Sequence, residues 1–189
     1  MKIDNLEAYL TERVGNRQPR SVPVMQLAQA GVLIAITDEP SPSVVLTLRA
    51  GHLSSHQGEV AFPGGKRDPE DESIIATALR EAQEEIGLNP NQVRIIGTLD
   101  QVVSRFGYQV TPVLGIIAPN LSFVANLEEL DAVFHVPLET FRRQPDSYFE
   151  RGTIRLPSWD FDGYHIWGLT ALMLAEMMNN LWDCDIRMQ

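Results

Sequence analysis

Cysteine is nearly absent from this chain: Cys184 is the only one among 189 residues. A single thiol excludes an internal disulfide and a thiolate metal cluster, and it fits a reducing compartment, so the expected location is the cytoplasm. Positive charge is scarce as well. Fifteen Lys and Arg stand against 25 Asp and Glu, giving a net charge of −10 and a pI near 4.8. A duplex nucleic-acid binder shows a basic stripe, and none is present here, so no nucleic-acid partner is expected. No apolar run approaches the roughly 18 residues of a membrane span, and the N-terminus lacks a signal-peptide core, so no membrane partner is expected either. Internal repeats, low-complexity tracts and long linkers are missing. What is there is ordinary in bulk: 44% hydrophobic content, at a length that suits one domain over residues 1–189 with a sizeable core.

The informative stretch is 64–88. It reads as a glycine loop (Gly64-Gly65), an acidic turn, a helix of about four turns and a glycine stop at Gly87. Ser73, or an acidic residue just before it, caps the start. Ile74, Ile75, Ala78, Leu79, Ala82 and Ile86 fall on one broad apolar stripe. Glu81, Glu84 and Glu85 are neighbours around the same helix and border that stripe. Three crowded carboxylates repel one another by a few tenths of a kcal/mol per pair, roughly. Arg80 neutralises part of this through Glu84 but cannot satisfy all three. A hard divalent cation satisfies them, because magnesium takes oxygen ligands while bridging to phosphate. The other reading of three glutamates is a solvated acidic face.

The whole block decides between them. Residues 80–88, Arg80-Glu81-Ala82-Gln83-Glu84-Glu85-Ile86-Gly87-Leu88, resemble the second half of the Nudix box at every position, with Gly65 and Glu72 upstream. One departure stands: six residues separate Gly65 from Glu72 where the general pattern has five, which puts the role of Glu72 in question. The run from Leu48 through Arg49, Leu53, His56, Gly58-Glu59-Val60-Ala61-Phe62-Pro63-Gly64-Gly65 to Asp68 and Asp71 is similar to the extended motif of coenzyme A pyrophosphatases, Nudix enzymes with this longer loop. That subfamily more often has Gln where this chain has Glu59.

Elsewhere, 1–14 reads as an amphipathic helix with a capping box from Asp4 to Glu7, followed by a connector to 28. Arg17 and Arg20 in the connector are surface charges within possible reach of a phosphate. The runs 31–37 and 43–49 read as strands, and their near-continuous apolar content suggests a sheet covered on both faces. Arg49, at a strand end, is a candidate clamp for a pyrophosphate. His52 and His56 are four apart, but no cysteine or HExxH frame accompanies them, so zinc is disfavoured. Residues 93–103 and 108–117 read as strands joined by 104–107. Phe106 and Tyr108 are core residues or a stacking platform for adenine. Loops outside the box often supply an extra ligand or a base in Nudix enzymes, so the resemblance makes Glu128 or Glu129, just before the strand 132–136, a candidate for that role; the other reading is a helix N-turn. Residues 153–161 and 164–166 form a hairpin with an Asp-Gly turn, and the methionine-rich stripe from Leu169 to Leu181 is core or a subunit contact.

The resemblance implies an α/β fold, an α/β/α sandwich with a mixed central sheet. It also implies hydrolysis of a diphosphate in a nucleoside-linked small molecule, most simply coenzyme A or its thioesters, to phosphopantetheine and adenosine 3′,5′-bisphosphate. Glu81 and Glu85, with Glu84 completing or hydrogen-bonding the cluster, are the expected ligands of Mg²⁺ or Mn²⁺, and Arg80 holds them in place. Arg49, His56, Gly64 and Gly65 are the expected substrate contacts. The alternatives are another nucleoside diphosphate derivative, a dinucleotide or a nucleotide sugar, and a non-catalytic binding module of the same fold. The state of assembly is a monomer or a homodimer.

Overall fold

The computed structural model describes residues 5–23, 27–52, 58–151 and 154–188. Asp4, Leu53, His56 and Thr153, each part of a sequence expectation, lie outside the described residues.

The continuous apolar runs become central strands. β1 (Ala28–Thr37) and β7 (Tyr108–Ile117) lie side by side in parallel over their full lengths, from Ala28 opposite Tyr108 to Thr37 opposite Ile117. β2 (Ser43–Arg49) and β5 (Arg94–Thr98) extend the sheet antiparallel on either side. The main path runs β3-β2-β1-β7-β5, with β3 spanning Val60–Ala61. Three further strands branch from it. β4 (Gly64–Lys66) pairs with β1, β6 (Val102–Val103) with β7, and β8 (Leu130–Pro137) with β2. One parallel pair among antiparallel ones makes the sheet mixed, as the sequence led us to expect.

Both faces are covered. On one, Leu33, Ala35, Val45, Val113 and Ile117 pack against Ala78, Ala82 and Ile86 of helix α2 (Ile74–Ile86). On the other, Ile34, Ile36, Leu46, Leu114 and Ile116 meet helix α4 (Gly168–Trp182), and helix α1 (Leu6–Gly15) adds Leu6 and Leu10. The result is the expected α/β/α sandwich. Met173, Met177 and Met178 of α4 are buried in this second cluster, so the methionine stripe is core.

Several boundaries differ from the sequence reading. α1 starts at Leu6, and its cap is Asn5, whose side chain accepts the Ala8 N–H at 2.9 Å, in place of a box built on Asp4. The single strand expected at 93–103 is two, broken at 99–101, where the Leu99 N–H still donates to Pro112 of β7 but the Gln101 N–H donates to the Arg20 carbonyl in the connector. Gly64–Lys66, read as a turn, is a strand whose glycines sit against Gly31 and Val32 of β1. The hairpin of β10 (Ile154–Phe161) and β11 (Tyr164–Ile166) turns at Asp162-Gly163 as expected, and it gains a third strand, β9 (Ser147–Arg151), preceded by the short helix α3 (Glu139–Arg142). No helix among the described residues is long and apolar enough to cross a membrane.

Candidate active site

The site forms where β1 exchanges one partner for another. Its first half pairs with β4 and its second half with β2, so the sheet opens between Gly64-Gly65 and Arg49, and α2 lies over the opening. Helix α2 is set by its own sequence: the Ser73 hydroxyl accepts the Ala76 N–H at 3.1 Å, and Gly87 closes the far end at φ 68°. Gly31 lets the helix approach, because a Cβ there would stand 2.7 Å from the Ile74 carbonyl oxygen.

That depth of docking carries Glu85 to 3% exposure, where its Oε2 accepts the Gly64 N–H at 3.1 Å. Burial, helped by the negative charges of Glu81 and Glu129, raises the Glu85 carboxyl to a pKa of about 7 against the pull of the Gly64 N–H and Arg49. Glu81 lies one turn earlier, under β4. A Cβ on Gly65 would fall 2.5–2.6 Å from its carboxylate, so glycine alone leaves room for that group. Desolvation raises the Glu81 pKa as well, opposed by Arg80. Glu84 is placed differently: its side chain is 57% exposed and reaches only Arg80, at 3.2 Å.

Arg80 ties the loop to the helix. Its Nη1 is 2.9 Å from Glu81 and its Nη2 donates to the Lys66 carbonyl at 3.0 Å. The sequence reading assigned its neutralising partner as Glu84. The dominant partner is Asp71, which takes Nε at 3.0 Å and Nη2 at 3.1 Å. Asp71 also accepts the Thr77 hydroxyl and the Asp68 N–H, and these bonds, led by Arg80, hold its carboxyl far below the ordinary range. Glu72 is exposed and makes no ion pair among the described residues. Five residues separate Gly65 from Asp71, so the acidic residue at the general interval is the one that Arg80 holds, and the extra residue then falls between Asp71 and Arg80.

Arg49 stands at the edge of the opening. The pairing of β2 with β8 slips by one residue between Leu48 and Arg49, which turns the side chain at the strand end. Its Nη1 is 3.9 Å from Glu85, too long for a hydrogen bond, and its buried Nε has no partner. Across the gap, Ala50 N–H donates to the Glu129 carbonyl. Of the two candidate glutamates, Glu129 is the half-buried one, and its negative charge adds a minor upward push to the Glu81 and Glu85 carboxyls, well behind burial. Glu128 is exposed, and its carbonyl contacts the His52 Nε2 at 3.1 Å, a bond that accounts for His52 without a metal.

Two other sequence candidates, Arg17 and Arg20, are held at α4 and Asp100. Arg17 pairs with Asp100 and Arg20 with Glu176, joining the connector to α4. Phe106 is 53% exposed beside Arg105, which pairs with Glu59 at 3.0 Å. Tyr108 lies under the Lys66 ammonium, 5.2 Å from its ring centre.

The donor set suits a hard cation: two carboxylates lie under a glycine strand, a third is beside them on the helix, and Gly65 keeps a cradle that a Cβ would fill. Among the described residues, however, no three carboxylate, histidine or cysteine side chains converge on one point, because Glu81 and Glu84 are both turned to Arg80.

Comparison with known proteins places this geometry. The NUDIX domain family matches residues 27–155. A Salmonella paratyphi B protein described as an uncharacterized Nudix hydrolase, NudL, is 47% identical over 155 residues, covering 79% of this chain and 80% of that one. Among solved structures, RenU, a Nudix hydrolase from M. smegmatis, superposes with a TM-score of 0.51 at 26% identity over 60% of this chain and 72% of its own. A MutT/nudix family protein from Enterococcus faecalis shares the fold at 16% identity, with a TM-score of 0.54 over 94% of this chain and 70% of its own. The loop, strand and glutamate helix described above are thus those of a Nudix domain, and the chain belongs to the Nudix hydrolase family.

Proposed function

We propose that this Nudix hydrolase cleaves the diphosphate of coenzyme A or its thioesters, giving phosphopantetheine and adenosine 3′,5′-bisphosphate, and that residues 1–189 act as one domain in doing so. The observation carrying the proposal is the pairing of Glu81 and Glu85 beneath Gly64-Gly65 with the unpartnered Nε of Arg49 at the same opening. The run 48–71 resembles the extended motif of coenzyme A pyrophosphatases, and its members Arg49, Gly64 and Gly65 border that opening, which favours coenzyme A over other diphosphates.

Glu81 and Glu85 would hold Mg²⁺ or Mn²⁺, with Glu84 joining through one of its oxygens. The ion supplies neutralisation of phosphate charge and a bound water of lowered pKa. The chain's own residues do the rest. Arg49 offers a guanidinium fork to a phosphate oxygen pair, a geometry lysine cannot reproduce. His56, which lies outside the described residues, and the Gly64-Gly65 backbone complete the substrate contacts. Arg80, locked by Asp71, sets the direction of Glu81 and Glu84. Glu129 is our candidate for the group that accepts a proton from the attacking water. The net charge of −10 does not oppose an anionic substrate, because the local cation and Arg49 dominate the field inside the opening.

Turnover of a panel containing coenzyme A, an acyl-coenzyme A, a dinucleotide and a nucleotide sugar tests this, with Mg²⁺ and with Mn²⁺. Coenzyme A compounds should have the highest kcat/KM, and Glu81→Gln or Glu85→Gln should lose at least about a hundredfold, given that even partners behind metal ligands cost tenfold to a hundredfold. Preference for a dinucleotide or a nucleotide sugar would replace the substrate assignment. Binding of coenzyme A without products would make the domain a binding module.

A further inference from the structure

The chain holds two lysines among its 15 basic residues, and Lys66, the one within the described residues, follows Gly64-Gly65 directly. Its backbone is fixed on both sides. The Lys66 carbonyl accepts Arg80 Nη2 at 3.0 Å, and the next N–H, of Arg67, donates to the Gln29 carbonyl at 2.9 Å. Side chains alternate across a strand. Gly65 faces the Glu81 carboxylate, so Lys66 leaves β4 on the other face of the sheet. There its ammonium stands over the ring of Tyr108, 5.2 Å from the centre, within the range of a cation–π contact. Tyr108 belongs to that face too, packed against the cluster shared with α4. The ring is itself held at the start of β7, where the Ser104 hydroxyl accepts the Tyr108 N–H at 3.1 Å.

The neighbouring cations are engaged. Arg80 is taken by Asp71 and Glu81, and Arg105 pairs with Glu59. Arg67 donates to the Gln29 side chain at 2.9 Å and to the Asp71 carbonyl at 3.1 Å. Lys66 is exposed and has no ion pair among the described residues. Its ammonium starts one residue beyond the glycine that roofs Glu81, yet on the opposite face, so it is offset from an ion held by α2. That offset suits an anionic group one sugar ring away from the diphosphate. Coenzyme A carries such a group, the ribose 3′-phosphate that ends in the adenosine 3′,5′-bisphosphate product. A chain with a net charge of −10 repels that dianion unless a local cation receives it, and lysine receives phosphate as a point charge.

We infer that Lys66, held over Tyr108, contacts the ribose 3′-phosphate of the substrate, and that this contact selects coenzyme A compounds over diphosphates that lack the phosphomonoester. The inference rests on the proposed coenzyme A reading and adds to it a specificity residue outside the diphosphate and metal contacts. A merely solvated surface lysine would leave that selection untouched.

Turnover of coenzyme A and of 3′-dephospho-coenzyme A with Mg²⁺ tests it on the intact chain, for the wild type, Lys66→Met and Lys66→Arg, with a melting temperature recorded for each. The wild type should favour coenzyme A by at least about tenfold in kcat/KM, the scale of one hydrogen bond to a charged group. Lys66→Met keeps the apolar stem and removes the charge, so it should bring the two values together by lowering the one for coenzyme A. Lys66→Arg should keep most of the preference. Calorimetry adds a readout without turnover: adenosine 3′,5′-bisphosphate should bind the wild type at least about tenfold more tightly than adenosine 5′-phosphate, and Lys66→Met should erase the difference. Equal kcat/KM for the two compounds in the wild type would overturn the inference and leave the substrate reading standing. So would a Lys66→Met loss of the same size on both, which would put the ammonium at the diphosphate or in the fold. Cleavage of neither compound by the wild type would overturn the substrate reading, and the inference with it.

Discussion

Glu81 stands where a side chain of residue 65 would be, and that single exclusion separates activity from stability. In Gly65→Ala the new methyl would lie 2.5–2.6 Å from the Glu81 carboxylate, the mobile end of a long side chain, so the carboxylate yields and the strand does not. The expected result is a melting temperature close to wild type with turnover down by about tenfold to a hundredfold, the scale of losses when a ligand's surroundings are disturbed. Unchanged turnover would show that Glu81 need not occupy that position. Asp71 makes the opposite case. Asp71→Asn removes the charge from a buried pair with Arg80 and should cost about 3 kcal/mol in urea unfolding, whereas Glu72→Gln, on an exposed neighbour, should change stability by less than about 0.5 kcal/mol. The pH dependence follows from the lowered folded pKa of Asp71. Its contribution is complete above the ordinary carboxylate value of about 4 and is lost as pH falls below that toward the folded value. Below pH 4 the wild type should therefore lose stability more steeply than Asp71→Asn. Parallel curves would refute the assignment.

At the scale of elements, α2 and β1 form one unit, because the helix rests on a strand glycine. Gly31→Ala would put a methyl 2.7 Å from the Ile74 carbonyl oxygen and 3.2 Å from the Ala78 nitrogen. Both are backbone atoms and cannot swing aside. The helix must lift, at a cost of about 1–3 kcal/mol, as for other overpacked contacts. Lifting also draws Glu85 away from the Gly64 N–H, so turnover should fall together with the urea midpoint. A stable, fully active Gly31→Ala would mean the contact is looser than drawn. This contact also marks what could be read from the sequence. The 3.6-residue stripe and the flanking Ser73 and Gly87 determine α2 locally, and β1, β2 and β7 were legible because buried strands are uninterrupted apolar runs. Gly64–Lys66 was not legible as a strand, since glycines carry no pattern and the pairing comes wholly from β1. Choosing Asp71 over Glu72 as the partner of Arg80 needs the path of a loop in space. Neighbouring residues of one type look alike until burial separates them.

Taken whole, the molecule spends most of its scarce positive charge away from the carboxylates of α2. Arg17, Arg20 and Arg13 are spent pinning α1 and the connector to α4 and to Asp100, on the far face of the sheet from α2. Arg80 and Arg49 remain at the opening, one saturated by Asp71 and its neighbours, the other with a buried nitrogen that has no hydrogen-bond partner among the described residues. The sandwich thereby presents an acidic helix corner and an arginine across a gap in the sheet, which is how a fold with a net charge of −10 can meet a diphosphate at all. Anomalous scattering from crystals grown with Mn²⁺ and a non-hydrolysable diphosphate tests this arrangement most directly. The account predicts a manganese peak bonded to carboxylate oxygens of Glu81 and Glu85, with a phosphate oxygen on the ion and Arg49 turned to the same diphosphate. Manganese bound elsewhere, with Glu81 and Glu85 still held by Arg80 and the Gly64 N–H alone, would contradict it.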